Sequence, residues 1–171
     1  MGVSRKTRRS RAYSTATRSA YSESPTALAA ALAVGGTDLL LEKAVRYANE
    51  RVVFGNKPIG AYQAIQHPLA EVKIKQEAVR LLTWRAAWAF DADLPPGEVG
   101  TYTNMAKFLG AELALEATDA AIETLGGNGF STEYGLPYLW EAARLLKTAP
   151  ISREMILNYV AEHVLELPRS Y

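Results

Sequence analysis

The stretch "ETLGGNGFSTEYG", Glu123–Gly135, interrupts a long helical pattern with three glycines in five residues. Glycine adopts backbone conformations that other residues avoid, so a glycine directly after a helix is a common way to end it. A cap of this kind needs Gly126 or Gly127 and leaves Gly129 unexplained. Glycines also allow another backbone or a ligand to approach closely. The stretch therefore predicts a helix end, and it is compatible with part of a binding site.

The helix that this stretch ends is one of several amphipathic patterns separated by short breaks. Apolar residues recur every three to four positions in each pattern, as in helices with one buried face. The breaks carry glycine and proline, as in "FGNKPIGAY" (Phe54–Tyr62) and "DADLPPGEVG" (Asp91–Gly100). No stretch alternates with period two, so we predict an all-α domain built as an up-down bundle. The predicted helices are about Pro25–Val53, Tyr62–Phe90, Thr101–Leu125, Leu136–Leu146 and Ser152–Leu165.

Composition limits the chemistry that this domain can perform. The chain has 171 residues, 49% of them hydrophobic, which suits one domain with a substantial core. It contains no cysteine, which excludes disulfides and thiolate metal sites and favours a reducing, cytoplasmic location. The two histidines, His67 and His163, are far apart, so we expect no metal site. The most apolar run, Leu28–Leu41, is broken by glycines and Asp38 and is too short for a membrane span.

The charge is distributed unevenly along the chain. Residues 1–22 contain six basic residues and no acidic one, which leaves −5 for residues 23–171. We therefore predict a disordered basic tail over residues 1–23 and a helical domain over 24–171, beginning with Ser24 as N-cap and Pro25 in the first turn. An organellar presequence or a nucleic-acid-binding arm has a similar composition. Because the remaining sequence lacks a basic, aromatic pattern, we expect no nucleic-acid partner.

Three segments together resemble a known family. "YANERVVFG" (Tyr47–Gly55), "PIGAYQAIQHPLAE" (Pro58–Glu71) and "AKFLGAELALEATDAAIETLGGNGFSTEYGLPYLWEAAR" (Ala106–Arg144) are similar, in order and spacing, to the C-terminal helical domain of the acyl-CoA dehydrogenases. The resemblance covers about residues 26–165. It implies a four-helix bundle that, within a larger subunit, helps to hold FAD at a dimer interface. Whole subunits of that family carry an N-terminal helical domain and a middle β-domain before this one, and this sequence has no counterpart of either.

The resemblance implies roles for five residues. Arg51 matches the arginine that contacts the FAD pyrophosphate of the neighbouring subunit, a task that suits a planar, permanently charged donor. Phe54 and Gln63 match residues that pack against and hydrogen-bond the cofactor, and Gly126 and Gly127 match the turn that approaches its adenosine end. Each also has an ordinary interpretation: Arg51 as a favourable charge at a helix C-terminus, Phe54 as a core residue, Gln63 as a surface cap and the glycines as a helix end.

The sequence also departs from the family pattern at chemically important positions. Glu123 stands where the family usually has glutamine, which places a negative charge near an anionic cofactor. Pro150 aligns with the glutamate that removes the α-proton of the acyl thioester, and proline supplies neither a carboxylate nor an N–H. Some members carry this base on the first helix of the domain, where Pro25 falls here, with Glu23 two residues away. We therefore assign no catalytic residue to this chain.

Two functions follow from these observations. The first is the FAD-contacting domain of an acyl-CoA dehydrogenase-like flavoprotein, an oxidoreductase of lipid metabolism, expected to be inactive alone. It would act in a homo- or hetero-oligomer with dehydrogenase-like subunits and meet acyl-CoA in that full assembly. The alternative is a non-catalytic remnant or interaction domain that binds a dehydrogenase-like partner. Both interpretations predict an exposed apolar patch where the bundle meets other subunits or domains.

Overall fold

The computed structural model describes residues 5–170, with side chains from residue 25 onward. Its regular structure is helical throughout this part of the chain, apart from one isolated antiparallel bridge between Val52 and Pro58. The predicted all-α, up-down bundle is confirmed. The five α-helices are α1 (Arg5–Glu50), α2 (Gln63–Asp91), α3 (Pro96–Leu125), α4 (Leu136–Leu146) and α5 (Arg153–His163).

Helix α3 forms the centre of the bundle, with α1 and α2 packed along it. Small side chains let α1 and α3 approach closely: a Cβ added to Gly110 on α3 would lie 3.2 Å from the Cβ of Ala33 and 3.3 Å from the Cα of Ala30. A larger residue at position 110 would push the two helices apart. Around this seam lies the main core cluster, whose largest members are Val34, Leu40, Leu69, Val72, Val79, Leu113, Leu125 and Leu136.

A buried amide fixes the pairing of α1 with α2. Gln76 is fully buried, and its Nε2 donates to the carbonyl of Val34 at 3.0 Å and to Oδ1 of Asp38 at 2.7 Å. Arg80 adds two hydrogen bonds to the same carboxylate, at 3.0 and 3.1 Å. These contacts hold the two helices antiparallel, because sliding either helix by one turn would leave the buried amide without its partners.

Two predicted helix starts are wrong. Helix α1 begins at Arg5, so Pro25 lies inside the helix rather than in its first turn. An interior proline lacks an N–H and removes one helical hydrogen bond, and α1 continues past it despite that cost. Helix α3 begins at Pro96 rather than near Thr101, because proline fits the first turn of a helix, where its missing N–H is not needed. The predicted disordered tail, residues 1–23, falls outside the residues whose side chains are described and stays a prediction.

The ends of α4 and α5 agree with the sequence. Helix α4 spans the predicted residues, and Ser152 caps α5 by accepting a hydrogen bond from the N–H of Met155 at 3.3 Å. None of the helices in the described part of the chain combines the length and the apolar character that crossing a bilayer requires.

Candidate functional site at the glycine end of the bundle

Three chain segments meet at one end of the bundle. Helix α1 ends there at Glu50, α2 begins there at Gln63, and α3 ends there in a 3₁₀ turn, Gly126–Phe130. We call this the glycine end. All five residues that the sequence assigned to cofactor binding lie at it: Arg51, Phe54, Gln63, Gly126 and Gly127. The antiparallel order of the helices brings them together although they are spread over 77 residues of sequence.

The loop after α1 closes on itself and leaves an aromatic ring in solvent. The N–H of Ile59 donates to the carbonyl of Arg51 at 2.8 Å, and Val52 pairs with Pro58. At the tip of this loop Phe54 has a positive φ of 54° and is 98% exposed. The ordinary interpretation of Phe54 as a core residue is therefore wrong. Among the described residues this fully exposed phenylalanine has no apolar partner, and its ring is available to a group outside them.

Arg51 directly follows the last residue of α1. Its backbone N–H donates to the carbonyl of Tyr47 at 2.9 Å, so its backbone continues the helical hydrogen-bond pattern by one residue. Its side chain is exposed, and no hydrogen bond or ion pair joins the guanidinium to the described residues. Arg46, five residues earlier, differs from Arg51 because it pairs with Glu42 at 2.5 Å. The Arg51 guanidinium keeps its full donor capacity for an anion.

Tyr47 connects the end of α1 to the glycine turn. Its hydroxyl accepts a hydrogen bond from Nδ2 of Asn128 at 3.0 Å, and its ring meets the ring of Tyr134 edge to face, with centroids 6.0 Å apart. Lys43, one turn earlier, donates to the carbonyl of Tyr134 at 3.1 Å. These contacts hold the glycine turn against α1 at Tyr47, one helical turn before Arg51.

The three glycines of the turn have three different roles. Gly126 caps α3 with φ 59° and ψ −132°, a backbone conformation that side chains disfavour. Gly127 is exposed, and a Cβ added there would meet no atom within 4 Å. Gly129 is buried, and a Cβ there would lie 2.7 Å from the carbonyl oxygen of Ile122. Sequence reasoning did not assign a role to Gly129, although its place as the third glycine of "GGNG" was the available signal.

Gln63 is the first residue of α2, and its side chain is exposed. The N-cap of this helix is Tyr62, which makes no capping hydrogen bond with its side chain, so the interpretation of Gln63 as a cap is wrong. A different side chain, Gln66, bonds to the backbone that precedes α2: its Nε2 donates to the carbonyl of Gly60 at 2.8 Å. Gln63 is thus left as an exposed donor and acceptor at a helix N-terminus, where the helix dipole favours negative charge.

The segment with Pro150 lies elsewhere, between α4 and α5. Nζ of the buried Lys107 donates to the carbonyl of Ile151, and Glu112 pairs with Lys147 at 2.6 Å and with Arg153 at 2.9 Å. These contacts bind the segment to the middle of α3. Glu112 is 13 residues from Leu125, the last residue of α3, or about 20 Å along the helix axis. The structure therefore does not bring the Pro150 segment to the glycine end.

Ionisable groups around the Pro150 segment have shifted pKa values. Burial lowers the pKa of the Lys107 ammonium below 10.5, and the nearby charge of Glu154 opposes that change. Partial burial acts to raise the pKa of Glu112, but hydrogen bonds from Lys147 and Arg153 outweigh it and lower the pKa below 4.5. The Glu112 carboxylate is therefore ionised near neutral pH and holds Lys147 and Arg153 to α3. It is paired with two cations and is not available as a proton acceptor.

Comparison with known proteins agrees with this architecture. The model of the acyl-CoA dehydrogenase C-terminal domain matches residues 26–165. Acyl-CoA dehydrogenase FadE12 of Mycobacterium tuberculosis is 44% identical over 146 residues, which are 84% of this chain and 37% of that protein. Probable acyl-CoA dehydrogenase YngJ of Bacillus subtilis is 34% identical over 137 residues, or 80% of this chain and 35% of that protein. The chain thus spans little more than a third of these relatives.

Solved structures show the same similarity. Butyryl-CoA dehydrogenase from Megasphaera elsdenii superposes with a TM-score of 0.77 at 29% identity, over 82% of this chain and 36% of that one. Glutaryl-coenzyme A dehydrogenase in its glutaryl-CoA complex gives a TM-score of 0.76 at 32% identity, over 85% of this chain and 36% of that one. The FAD complex of PigA gives a TM-score of 0.73 at 29% identity, over 79% of this chain and 34% of that one.

Proposed function

Because the chain belongs to the acyl-CoA dehydrogenase family, we propose that it acts as the C-terminal, FAD-contacting domain of a dehydrogenase-type flavoprotein. The observation that carries this proposal is the pair formed by Arg51 and Phe54 at the glycine end. A guanidinium that has no ion-pair partner among the described residues and a fully exposed ring stand three residues apart on a closed loop. A dinucleotide offers what each of them lacks, an anionic pyrophosphate and a flat apolar ring system.

The other three residues fit the same ligand. Gln63 has an exposed amide at the N-terminus of α2, where an anionic or hydrogen-bonding group is favoured. Gly126 and Gly127 leave the backbone at the end of α3 accessible, because both are exposed and a Cβ on either would meet no atom within 4 Å. The residues present therefore fit FAD. When bound, the flavin supplies the hydride acceptor for α,β-dehydrogenation of an acyl-CoA thioester.

The proposed role of this chain is to bind and orient FAD, and proton abstraction falls to another group. Pro150, at the position of the family base, has no carboxylate and no N–H, and the carboxylate of Glu112 beside the same segment is held by two cations. We therefore propose that the chain turns over no acyl-CoA alone and works with dehydrogenase-like domains or subunits. The absence of cysteine supports a cytoplasmic site of action.

An FAD affinity measurement on a chimaera tests this role. Residues 26–165 replace the matching C-terminal part of the mycobacterial relative FadE12, so that the remaining domains are present. Arg51→Gln should weaken FAD binding by at least tenfold, and Arg51→Lys should recover part of the loss, because lysine keeps the charge but not the planar donor pair. Arg46→Gln is the matched control, since Arg46 is an exposed arginine near the end of α1, five residues before Arg51, and it already pairs with Glu42. Equal FAD affinity in Arg51→Gln and Arg46→Gln would count against the proposal.

The second candidate function is a non-catalytic interaction domain. Pro150 at the base position favours it, since an interaction domain needs no proton acceptor. The two functions differ in the chimaera: an interaction domain that has lost the cofactor site forms the folded assembly but retains no flavin absorbance, whatever residue occupies position 51.

A further inference from the structure

A cavity of about 440 Å³ opens between the end of α3, the glycine turn and α4. That volume lies within the range of about 300–1,000 Å³ that is typical of small-molecule sites. None of the five residues proposed to contact FAD lines it. We call it the α3–α4 cavity, and the described residues that line it are Asp119, Ile122, Phe130, Pro137, Trp140 and Glu141.

The walls of this cavity are mainly apolar and include two aromatic rings. Phe130 is 74% exposed and Trp140 is 39% exposed, so both rings are accessible to a ligand. The indole Nε1 of Trp140 donates to Oδ1 of Asp119 at 3.1 Å, a contact that joins α4 to α3. This bond occupies the only donor of the indole, which leaves its ring for apolar and cation–π contacts. The walls therefore suit a ligand with a hydrocarbon or aromatic body.

The ionisable groups of the cavity carry one sign of charge. Asp119 and Glu141 contribute carboxylates, and the described lining residues include no lysine, arginine or histidine. Neither carboxylate has an ion-pair partner within the part of the chain that the structure describes. Glu112, seven residues before Asp119 on α3, differs because Lys147 and Arg153 neutralise it. The carboxylates of the α3–α4 cavity are thus available to a cation from outside the described chain.

We propose that the α3–α4 cavity binds a small organic cation, whose ammonium or guanidinium group lies beside Asp119 and Glu141 while its apolar body contacts Phe130 and Trp140. This inference goes beyond the FAD role and does not rest on it. Charge attraction and cation–π contact with Trp140 act on the same group of the ligand, because both carboxylates and the indole line one cavity.

The same arrangement disfavours ligands of other charge. A neutral apolar ligand would displace water from the two carboxylates and give them no counter-charge. An anion would in addition be repelled by both carboxylates. A dinucleotide is anionic and is therefore disfavoured here, so the α3–α4 cavity and the residues around Arg51 select ligands of opposite charge.

Titration of the full chain with three phenethyl compounds tests this selection. Phenethylammonium carries an aromatic ring and a cation, phenethyl alcohol is its neutral counterpart, and hydrocinnamate is an anion of similar size. Binding is followed by the NMR signal of the Trp140 indole N–H, which is assigned as the signal that Trp140→Phe removes. Phenethylammonium should move this signal saturably and bind at least about fivefold more tightly than the alcohol, and hydrocinnamate should bind more weakly than either.

Substitution of each carboxylate shows whether it recognises the cation. Glu141→Gln and Asp119→Asn should each weaken phenethylammonium binding by about threefold. The asparagine keeps an amide oxygen that still accepts from Trp140, so the bond between α3 and α4 is retained. Glu133→Gln is the matched control, since Glu133 is an exposed glutamate between the glycine turn and α4 that does not line the cavity, and its substitution changes the net charge equally.

Three results would overturn the proposal. They are binding of the alcohol as tight as that of the ammonium, equal weakening by Glu141→Gln and Glu133→Gln, and a Trp140 signal that phenethylammonium does not move at millimolar concentration. Circular dichroism checks that each variant stays folded, and the comparison of the three compounds on the wild-type chain needs no variant to fold. None of these measurements needs flavin, so failure of the FAD proposal would leave their outcome unaffected.

Discussion

Substituting alanine for each glycine of the turn in separate variants should give three different results. In Gly129→Ala the new methyl group would lie 2.7 Å from the carbonyl oxygen and 2.9 Å from the Cα of Ile122. Both are backbone atoms of α3, so neither can rotate away, and the turn must shift. Overpacking of this kind costs about 2 kcal/mol, which for a chain of this length lowers the melting temperature by about 6 °C.

The neighbouring glycines are the internal controls. Gly126→Ala forces an L-residue to φ 59° and ψ −132° and should cost about 1–3 kcal/mol through backbone strain, with no steric contact. Gly127→Ala meets no atom and has no positive φ, so it should be neutral or stabilise the fold by up to about 1 kcal/mol. Thermal and urea unfolding followed by circular dichroism measure all three. If Gly129→Ala proved as stable as Gly127→Ala, the close packing of the turn against Ile122 would be refuted.

The side-chain contacts of Glu112 and Lys107 beside Pro150 lead to two further predictions. Glu112→Gln should lower the free energy of unfolding by about 0.5–1 kcal/mol near neutral pH, because Lys147 and Arg153 lose their partner. Since the folded pKa of Glu112 is lowered, this stability is present above about pH 4.5 and is lost as pH falls through the folded pKa, so urea titrations of wild type and variant should converge in acid. Lys107→Met should cost about 1–3 kcal/mol by leaving the carbonyl of Ile151 without its donor, and hydrogen exchange of residues 147–153 should become faster. The lowered pKa of Lys107 means that the folded chain releases this proton before the unfolded chain does. Wild type should therefore gain stability relative to the variant as pH rises towards about 10.5, and a constant difference would contradict this assignment.

The sequence predicted the fold well where a helix end or a helical pattern depends on residues that are close together in the chain. Glycine after Leu125 and the pattern of α4 correctly marked the helix ends, because capping depends on residues that are adjacent in the chain. The start of α1 was wrong, because proline inside a helix costs a hydrogen bond without always ending the helix. Periodicity also did not show which apolar residues of α2 meet the core, because Leu69, Val72 and Val79 are buried whereas Ile74, Leu81, Trp84 and Trp88 are exposed.

The candidate site could be predicted only in part. The family motifs indicated Arg51, Phe54, Gln63, Gly126 and Gly127, and the antiparallel helix order brings these residues to one end of the bundle. The exposure of Phe54 depends on closure of its loop. Likewise, the role of Gly129 depends on a contact with Ile122, and single-residue patterns carry no information about such tertiary contacts.

The most direct test of the central claim is the visible absorbance of the chimaera of residues 26–165 with the other domains of the mycobacterial relative, recorded before and after addition of acyl-CoA. The glycine end should hold one FAD per chain, so purified chimaera should show flavin absorbance that depends on Arg51. Because Pro150 stands at the base position and the chimaera contains no second kind of subunit to supply a base, acyl-CoA should leave that absorbance unbleached. A chimaera that folds without flavin would contradict the cofactor site, and a flavin reduced by acyl-CoA would contradict the proposal that a partner subunit supplies the base.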